Sequence, residues 1–186
     1  MKQALIVIDV QESFRQRPYW QASELPPFLS NLQLLINRSR ANGVPVVQVF
    51  HEEASDDASD PFSPASGFVR TLAELDLTPT AVFRKTVHSA LYAKDANGMT
   101  LESWLRQTGI EEVLITGIRT EQCCETTARH ASDAGFKVQY IADATLTFSM
   151  RSASGREFSP ADIRERTELV LSGRFATIVP AATALL

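Results

Sequence analysis

Residues 113–135 read VLITGIRTEQCCETTARHASDAG, and this stretch runs from a buried strand directly into a helix. Its first four residues are apolar or β-branched, as in a short buried strand, and a glycine follows them. From Glu121 onwards, small or apolar residues recur at helical spacing until Gly135, which predicts a helix. Both cysteines of the chain, Cys123 and Cys124, therefore lie in the first turn of this predicted helix.

A cysteine at the start of a helix is a candidate for a reactive thiol. Unpaired backbone N–H groups and the positive end of the helix dipole favour a thiolate there, and they can lower the thiol pKa from its usual value of about 8.5. Cysteines are also common in ordinary protein cores. We expect Cys123 to be the reactive thiol and Cys124, one step further round the helix, to face away from the site into the core.

The whole chain has the size and composition of one globular domain. It has 186 residues, of which 44% are hydrophobic and 22% are charged, and this predicts a single domain over residues 1–186. The net charge is −4 and no basic run occurs, so neither a nucleic acid nor an anionic membrane surface is an expected partner. No stretch approaches the roughly 20 apolar residues of a membrane span. The expected partner is a small-molecule substrate.

The cysteines and the first residues of the chain indicate a cytoplasmic protein. Two adjacent cysteines cannot form an ordinary structural disulfide, because neighbouring side chains point apart. The stretch MKQALIVIDVQ is apolar only briefly before Asp9 and lacks a small-residue cleavage site, so it predicts a strand and not a signal peptide. Free thiols in the cytoplasm are the consistent expectation.

Strands and helices alternate along the chain. Six segments have the aliphatic composition of buried strands, and they span residues 4–8, 44–50, 80–83, 113–116, 138–142 and 176–179. Between them, amphipathic patterns with start and stop signals predict helices over residues 27–42, 99–109, 121–135 and 159–173. This alternation predicts an α/β fold, namely a three-layer αβα sandwich around a doubly wound, mostly parallel six-stranded sheet.

Ionisable side chains follow three of the predicted strands. Asp9 comes after the first strand, Lys85 after the third and Cys123 after the fourth. In doubly wound sheets the ligand crevice lies outside the carboxyl ends of the strands, near the switch in strand order. We therefore expect the three side chains to meet at one edge of the sheet and to form a functional site.

Three motifs, in the expected order along the chain, resemble those of the isochorismatase-like cysteine hydrolase superfamily. This superfamily includes nicotinamidases, carbamoyl-sarcosine amidohydrolases, ureidoacrylate-type amidohydrolases and isochorismatases. The motifs are ALIVIDVQESF at residues 4–14, with Asp9, Gln11 and Phe14, then FRKTVHSAL at residues 83–91, and TGIRTEQCCETTARHASDAGF at residues 116–136. Family members carry TG-x-x-T-x-x-C at the start of the third motif, and the three motifs together are specific.

The resemblance implies a catalytic triad of Asp9, Lys85 and Cys123. Cys123 would attack an amide-type carbonyl and form a thioester. Asp9 would transfer the protons, and Lys85 would hold Asp9 and favour the charged nucleophile. Family members also have a non-proline cis peptide, which corresponds to Ile118–Arg119. It would direct the backbone N–H groups of Arg119 and Cys123 at the oxyanion.

The chain departs from the nicotinamidase branch at the second strand. Nicotinamidases bind a metal through Asp-x-His after this strand and through a further histidine. Here the corresponding residues are Gln48, Val49, Phe50 and His51, which supply one histidine and no aspartate. We therefore expect no metal and no other cofactor, and a pyridine-amide substrate becomes a poor match. His88 and His130 are expected at the surface or behind the site.

The pocket and the assembly are less defined by the sequence. Four aromatic residues in the loops after strands one and five could wall a small pocket, and they are Phe14, Tyr19, Trp20 and Phe148. Gln122 or Arg119 could meet a carboxylate or carbonyl group of the substrate. Homo-oligomers are common in the superfamily, so a homodimer or homotetramer is expected.

Three functions remain open from the sequence. The first is a metal-independent amidohydrolase that cleaves a C–N bond of a small amide, ureide or carbamoyl compound. The second is an isochorismatase-type vinyl-ether hydrolase, which needs the aspartate but no cysteine. The third is a non-catalytic small-molecule binder or a thiol redox sensor that uses Cys123. A cysteine in the family position favours amide chemistry.

Overall fold

A six-stranded parallel sheet is the centre of the molecule. The computed structural model describes residues 1–185. In chain order, the strands are β1 (Gln3–Ile8), β2 (Val46–His51), β3 (Ala81–Lys85), β4 (Glu112–Ile118), β5 (Lys137–Leu146), β6 (Met150–Arg151), β7 (Glu157–Phe158) and β8 (Thr177–Ile178). The sheet order is β3-β2-β1-β4-β5-β8 with all neighbours parallel, while β6 and β7 form a separate antiparallel pair.

Helices cover both faces of the sheet. They are α1 (Leu25–Ala41), α2 (Leu101–Gln107), α3 (Glu125–Asp133) and α4 (Pro160–Leu171). Alternate side chains of β1 enter opposite cores, because successive residues of a strand point to opposite faces. Leu5 and Val7 pack in the core that contains α1, and Ala4 and Ile6 pack in the core built with α2, α3 and α4. The predicted three-layer αβα sandwich and its mostly parallel sheet are confirmed.

The start of α3 differs from the prediction. Thr120–Cys124 forms a π-helical turn, in which the N–H of Cys124 donates to the carbonyl of Arg119 at 3.2 Å, and the α-helix begins only at Glu125. Cys123 therefore lies in a widened turn between β4 and α3. Such π turns often occur at functional sites.

Gly117 allows β1 and β4 to approach each other closely near the site. It pairs with Ile8 of β1 and has a φ of 126°, a conformation that side chains disfavour. A Cβ atom at this position would lie 2.0 Å from the carbonyl oxygen of Ile8. The register between β4 and β5 shifts at the same place, between Ile115 and Gly117. Only glycine fits this backbone.

The strand order places the switch point between β1 and β4. From β1, the sheet continues through β2 and β3 on one side and through β4 and β5 on the other. In sheets of this kind the crevice opens at the carboxyl ends of the two central strands. Asp9 follows β1, and the turn that carries Cys123 follows β4. Within residues 1–185, none of the helices has the length and apolar character needed to cross a membrane.

Candidate active site

Asp9, Lys85 and Cys123 meet at the carboxyl edge of the sheet, as the sequence predicts. Lys85 is the last residue of β3 and its side chain is fully buried, as is that of Asp9. The Nζ of Lys85 donates to Oδ2 of Asp9 at 2.7 Å and to Sγ of Cys123 at 3.5 Å. Buried charges are stable only when they are paired, and this pair stabilises both partners.

Asp9 is held in an unusual backbone conformation. Its φ is 54°, in the left-handed region that few residues other than glycine adopt, and its N–H donates to the carbonyl of Val49 in β2 at 2.8 Å. The second carboxylate oxygen, Oδ1, is buried and accepts no hydrogen bond from the residues that the structure describes. A carboxylate oxygen of Asp9 and the Sγ of Cys123 lie within 4.8 Å of each other. The carboxylate of Asp9 thus lies near the thiol and retains one oxygen that the described residues do not occupy.

The environment of Cys123 raises its pKa, contrary to the expectation for a thiol at a helix start. Burial is the largest cause, and the negative charge of Asp9 adds to it, while Lys85 acts in the opposite direction. The helix dipole does not lower the thiol pKa here, because Cys123 is only 7% exposed and its sulfur lies near a carboxylate. The free protein therefore holds Cys123 as a neutral thiol near pH 7.

Lys85 remains a charged ammonium despite its burial. Burial alone would lower its pKa, but Asp9 and then Cys123 outweigh that effect, and the net shift is upwards. A permanent positive charge therefore lies between the carboxylate and the sulfur.

His51 is a fourth group in this cluster, and the sequence reasoning missed its contact with Lys85. Its Nδ1 lies 3.1 Å from the Nζ of Lys85, and its Nε2 lies 3.5 Å from Glu53. Burial and then the charge of Lys85 lower the pKa of His51, so its ring is neutral at pH 7. A signal was available, because His51 ends the strand next to β1 and therefore lies at the same edge.

The same cluster offers ligands for a metal ion, but a lysine occupies its centre. Ligand atoms of Asp9, His51 and Cys123 lie within 4.8 Å of one another. The Nζ of Lys85 contacts all three groups, at 2.7, 3.1 and 3.5 Å, so a metal ion would have to displace a buried ammonium. The donor set therefore fits a metal poorly, and the absence of a metal stays a prediction.

A small cavity opens beside Cys123. Its volume is about 140 Å³, and its lining is formed by Asp9, Phe14, Arg17, Tyr19, His51, Glu53, Phe62, His88, Gln122 and Cys123. Of the six residues that the sequence proposes for the pocket, Phe14, Tyr19 and Gln122 are in this lining, whereas Trp20, Phe148 and Arg119 are not. Phe148 is 1% exposed and packs against the rings of Tyr19 and Trp20, at 5.3 Å from each, behind the cavity wall.

The neighbours of Cys123 have mainly structural contacts. The Ile118–Arg119 peptide is cis, as the resemblance implies. The guanidinium of Arg119 pairs with Glu121 at 2.8 Å and lies over the ring of Tyr19 at 5.1 Å, so it belongs to the wall and not to the cavity surface. Cys124 is fully buried in the core with α2, α3 and α4, and its predicted orientation is confirmed.

The other two histidines have different surroundings. His88 is exposed, in agreement with the expected surface position, and it also contributes to the cavity lining, which the sequence does not predict. His130 lies on α3, and its Nδ1 is 2.7 Å from the hydroxyl of Ser89. It thereby ties the helix to the loop after β3, which agrees with a place behind the site.

A parallel αβα sandwich with a buried cysteine, aspartate and lysine together at the carboxyl edge of its sheet defines the class of α/β cysteine hydrolases. Sequence comparison makes the identification specific. The family model described as Isochorismatase domain matches residues 3–179, and the chain belongs to the isochorismatase family. It is a hydrolase of that family.

Known proteins are similar to the chain over most of its length. The isochorismatase family protein YrdC of Bacillus subtilis (strain 168) is 30% identical over 96% of this chain and 91% of its own length. Nicotinamidase 3 of Arabidopsis thaliana is 30% identical over 78% of this chain and 74% of its own length. The crystal structure of an isochorismatase family member from Chromobacterium violaceum has a TM-score of 0.84 and 25% identity, and the alignment covers 99% and 92% of the two chains.

Proposed function

We propose that this hydrolase is an amidohydrolase that cleaves a C–N bond of a small amide, ureide or carbamoyl compound through a thioester on Cys123. The observation that carries the proposal is the buried ammonium of Lys85, which contacts both the Asp9 carboxylate and the Cys123 sulfur. A nucleophile, a base beside it and a group that orients the base are the parts that covalent catalysis needs. The Arabidopsis relative is named as an amidase, which supports amide chemistry.

The first half of the reaction forms the thioester. The Cys123 thiol gives its proton to Asp9, and the sulfur attacks the carbonyl carbon of the substrate. The backbone N–H groups of Arg119 and Cys123 would stabilise the oxyanion, and one such donor is typically worth about 3 kcal/mol of barrier. As the C–N bond breaks, Asp9 returns the proton to the leaving nitrogen, and ammonia or an amine departs.

The second half of the reaction releases the acid. A water molecule gives a proton to Asp9 and attacks the thioester carbon, and the C–S bond breaks as the proton returns to sulfur. Lys85 stays charged throughout, because its neighbours raise its pKa. It stabilises the thiolate in one step and the carboxylate in the next.

The cavity limits the substrate to a compact group near the scissile bond. Its volume of about 140 Å³ is close to the roughly 150 Å³ of a protein cavity that holds benzene. The rings of Phe14, Tyr19 and Phe62 give it apolar walls, and Gln122 offers an amide for hydrogen bonding. A group of about the size of a six-membered ring fits. We do not propose nicotinamide as the substrate, because this chain lacks the Asp-x-His metal ligands that nicotinamidases have after the second strand.

The test is release of ammonia or amine from a panel of small amides, ureides and carbamoyl compounds. We expect hydrolysis by the wild type and by Cys124→Ala, and none by Cys123→Ala, because only Cys123 faces the cavity. Intact mass should show the acyl adduct on Cys123 during turnover.

Two outcomes would contradict the proposal. Cleavage of isochorismate without turnover of any amide, unaffected by Cys123→Ala, would indicate vinyl-ether chemistry. Rapid reversible oxidation of Cys123 without any hydrolysis would indicate a thiol sensor.

A further inference from the structure

The three N–H groups of the Lys85 ammonium have three partners. They are Asp9 at 2.7 Å, His51 at 3.1 Å and Cys123 at 3.5 Å. An ammonium has donors and no acceptor, so the nitrogen of His51 that faces it must be the acceptor. Nδ1 is therefore unprotonated, and the proton of the neutral ring is on Nε2.

Buried contacts determine the position of His51. The side-chain amide of Gln11 donates to the carbonyl oxygen of His51 at 2.9 Å and accepts from its N–H at 2.9 Å. The same amide also donates to the hydroxyl of Ser13 at 2.9 Å, so Gln11 is itself fixed. The ring of Phe62 meets the imidazole edge-on, with 5.8 Å between the ring centres. The backbone of His51 is thus fixed by Gln11, and its ring is packed against Phe62.

The charges around the imidazole of His51 keep its Nδ1 unprotonated and able to accept a hydrogen bond. Lys85 faces it from β3, Asp9 from the end of β1, the Cys123 thiol from the π-helical turn, and Glu53 from the loop after β2. Burial and the Lys85 charge lower the pKa of His51 more than the two carboxylates raise it. A second positive charge on the ring would face the ammonium directly and is disfavoured.

We propose that His51 is a positioning residue for the reaction at Cys123, and that its Nδ1 lone pair holds the Lys85 ammonium between Asp9 and the sulfur. The proposal rests on the proposed function, since it assigns a role in that reaction. In the described part of the chain, the side chains that accept a hydrogen bond from Nζ are those of Asp9, His51 and Cys123. Without His51, one N–H of a fully buried ammonium would have no partner, which is costly.

Three substitutions at His51 distinguish the role of Nδ1 from that of Nε2. In His51→Asn, the side-chain oxygen stands three bonds from Cα, as Nδ1 does, and can accept from Lys85. In His51→Gln, the amide reaches the place of Nε2, and His51→Phe keeps the ring and removes both nitrogens. We expect kcat/KM to fall on the order of 100-fold in the Phe and Gln variants, as for misplaced catalytic groups, and to stay within about tenfold of wild type in the Asn variant.

The division of the loss between kcat and KM is a second readout. Because His51 acts through Lys85 on the nucleophile, the loss should lie in kcat with KM nearly unchanged. Thermal unfolding of each variant shows whether it is folded at the assay temperature. Higher activity in the Gln variant than in the Asn variant would assign the role to Nε2 and overturn the proposal, as would equal loss in both or wild-type activity in the Phe variant.

A measurement without substrate separates this proposal from the proposed function. In a Cys124→Ala background, iodoacetamide at pH 9 reports the thiolate fraction of Cys123. We expect the Phe and Gln variants to react about tenfold more slowly than wild type, which corresponds to one unit of thiol pKa. The Asn variant should react at a rate within about threefold of the wild-type rate. If the wild type hydrolyses no amide, the proposed function fails, while this order of rates still supports the contact of His51 with Lys85. Equal rates in all four proteins overturn it.

Discussion

The Cys123 thiol is arranged for proton transfer and not for permanent ionisation. Burial and the Asp9 carboxylate raise its pKa, so the free protein holds a neutral thiol. The same carboxylate has a buried oxygen, Oδ1, that accepts no hydrogen bond from the described residues, and we propose that the carboxylate takes the thiol proton. Asp9 therefore opposes the thiolate in the free protein, whereas in the proposed reaction the same carboxylate takes the thiol proton. Substitution at Asp9 should separate these two effects.

We predict that Asp9→Asn slows hydrolysis by about 10²–10⁴-fold and yet accelerates alkylation of Cys123. Loss of a general acid–base group typically costs about 10²–10⁴-fold in rate, while loss of the negative charge leaves Lys85 alone beside the sulfur and lowers the thiol pKa. Product release and mass-detected alkylation by iodoacetamide at pH 8 measure the two effects.

The stability of this variant must be measured as a control, because breaking a buried ion pair typically lowers the free energy of unfolding by about 3–5 kcal/mol. Both measurements should therefore be made below the thermal unfolding transition of the variant. Alkylation slower than in the folded wild type would show that Asp9 does not oppose the thiolate.

The meeting of the three proposed catalytic residues could be predicted from the sequence, because each ends or follows a strand with a simple aliphatic pattern. Asp9, Lys85 and Cys123 are at the edge where the predicted topology places them. The raised pKa of Cys123 could not be predicted, since it depends on burial depth and on the distance to a carboxylate. The place of His51 at this edge could also be predicted, because it follows the second predicted strand, but its contact with Lys85 depends on β2 lying beside β3, and neighbouring strands cannot be identified from strand patterns alone.

The junction between β4 and α3 contains a turn that sequence periodicity does not predict. Helical periodicity begins near Glu121, but the α-helix begins at Glu125, because the π-helical turn precedes it. One widened turn changes the spacing of side chains too little to alter a periodic pattern. The β6–β7 pair was also not predicted, since two-residue strands have no period.

We predict that Gly117→Ala destabilises the protein by at least about 3 kcal/mol, from backbone strain at positive φ and from overpacking. The added Cβ would lie 2.0 Å from the carbonyl oxygen of Ile8, so β1 and β4 must separate. Gly135→Ala is the matched control, because Gly135 also has a positive φ, 88°, but nothing lies within 4 Å of an added Cβ. Urea unfolding of both variants measures the difference, and equal losses would show that the close approach contributes nothing.

At the scale of the whole molecule, the sequence predicts the class of fold but not the order of the strands. Alternating strand and helix patterns imply a parallel sheet, whereas the sheet order depends on which helices cross which face. The assignment of α1 to one face and of α2, α3 and α4 to the other follows from packing between distant segments. The single domain, the homo-oligomer and the cytoplasmic location stay predictions.

We predict that chelators leave hydrolysis unchanged within about twofold, since catalytic metal sites need an open coordination position and Lys85 fills the centre of this cluster. Dialysis against EDTA, followed by metal analysis and the amide assay, makes the measurement. The control is the metal content of Lys85→Ala dialysed in parallel, because alanine removes the side chain that fills the centre of the cluster. Loss of wild-type activity that added Zn²⁺ or Fe²⁺ restores would contradict the prediction.

The central pairing of β1 with β4 also has a consequence for synthesis on the ribosome. It joins Gln3 to Glu112, so the two strands at the switch point are separated by more than half of the chain. Asp9 and Lys85 leave the ribosome well before Cys123, and the loop between β1 and β4 must close before the carboxylate meets the sulfur. A nascent chain that ends before β4 lacks Cys123, so in the reaction proposed above hydrolysis can begin only after β4 and the turn that follows it have been translated and β4 has paired with β1.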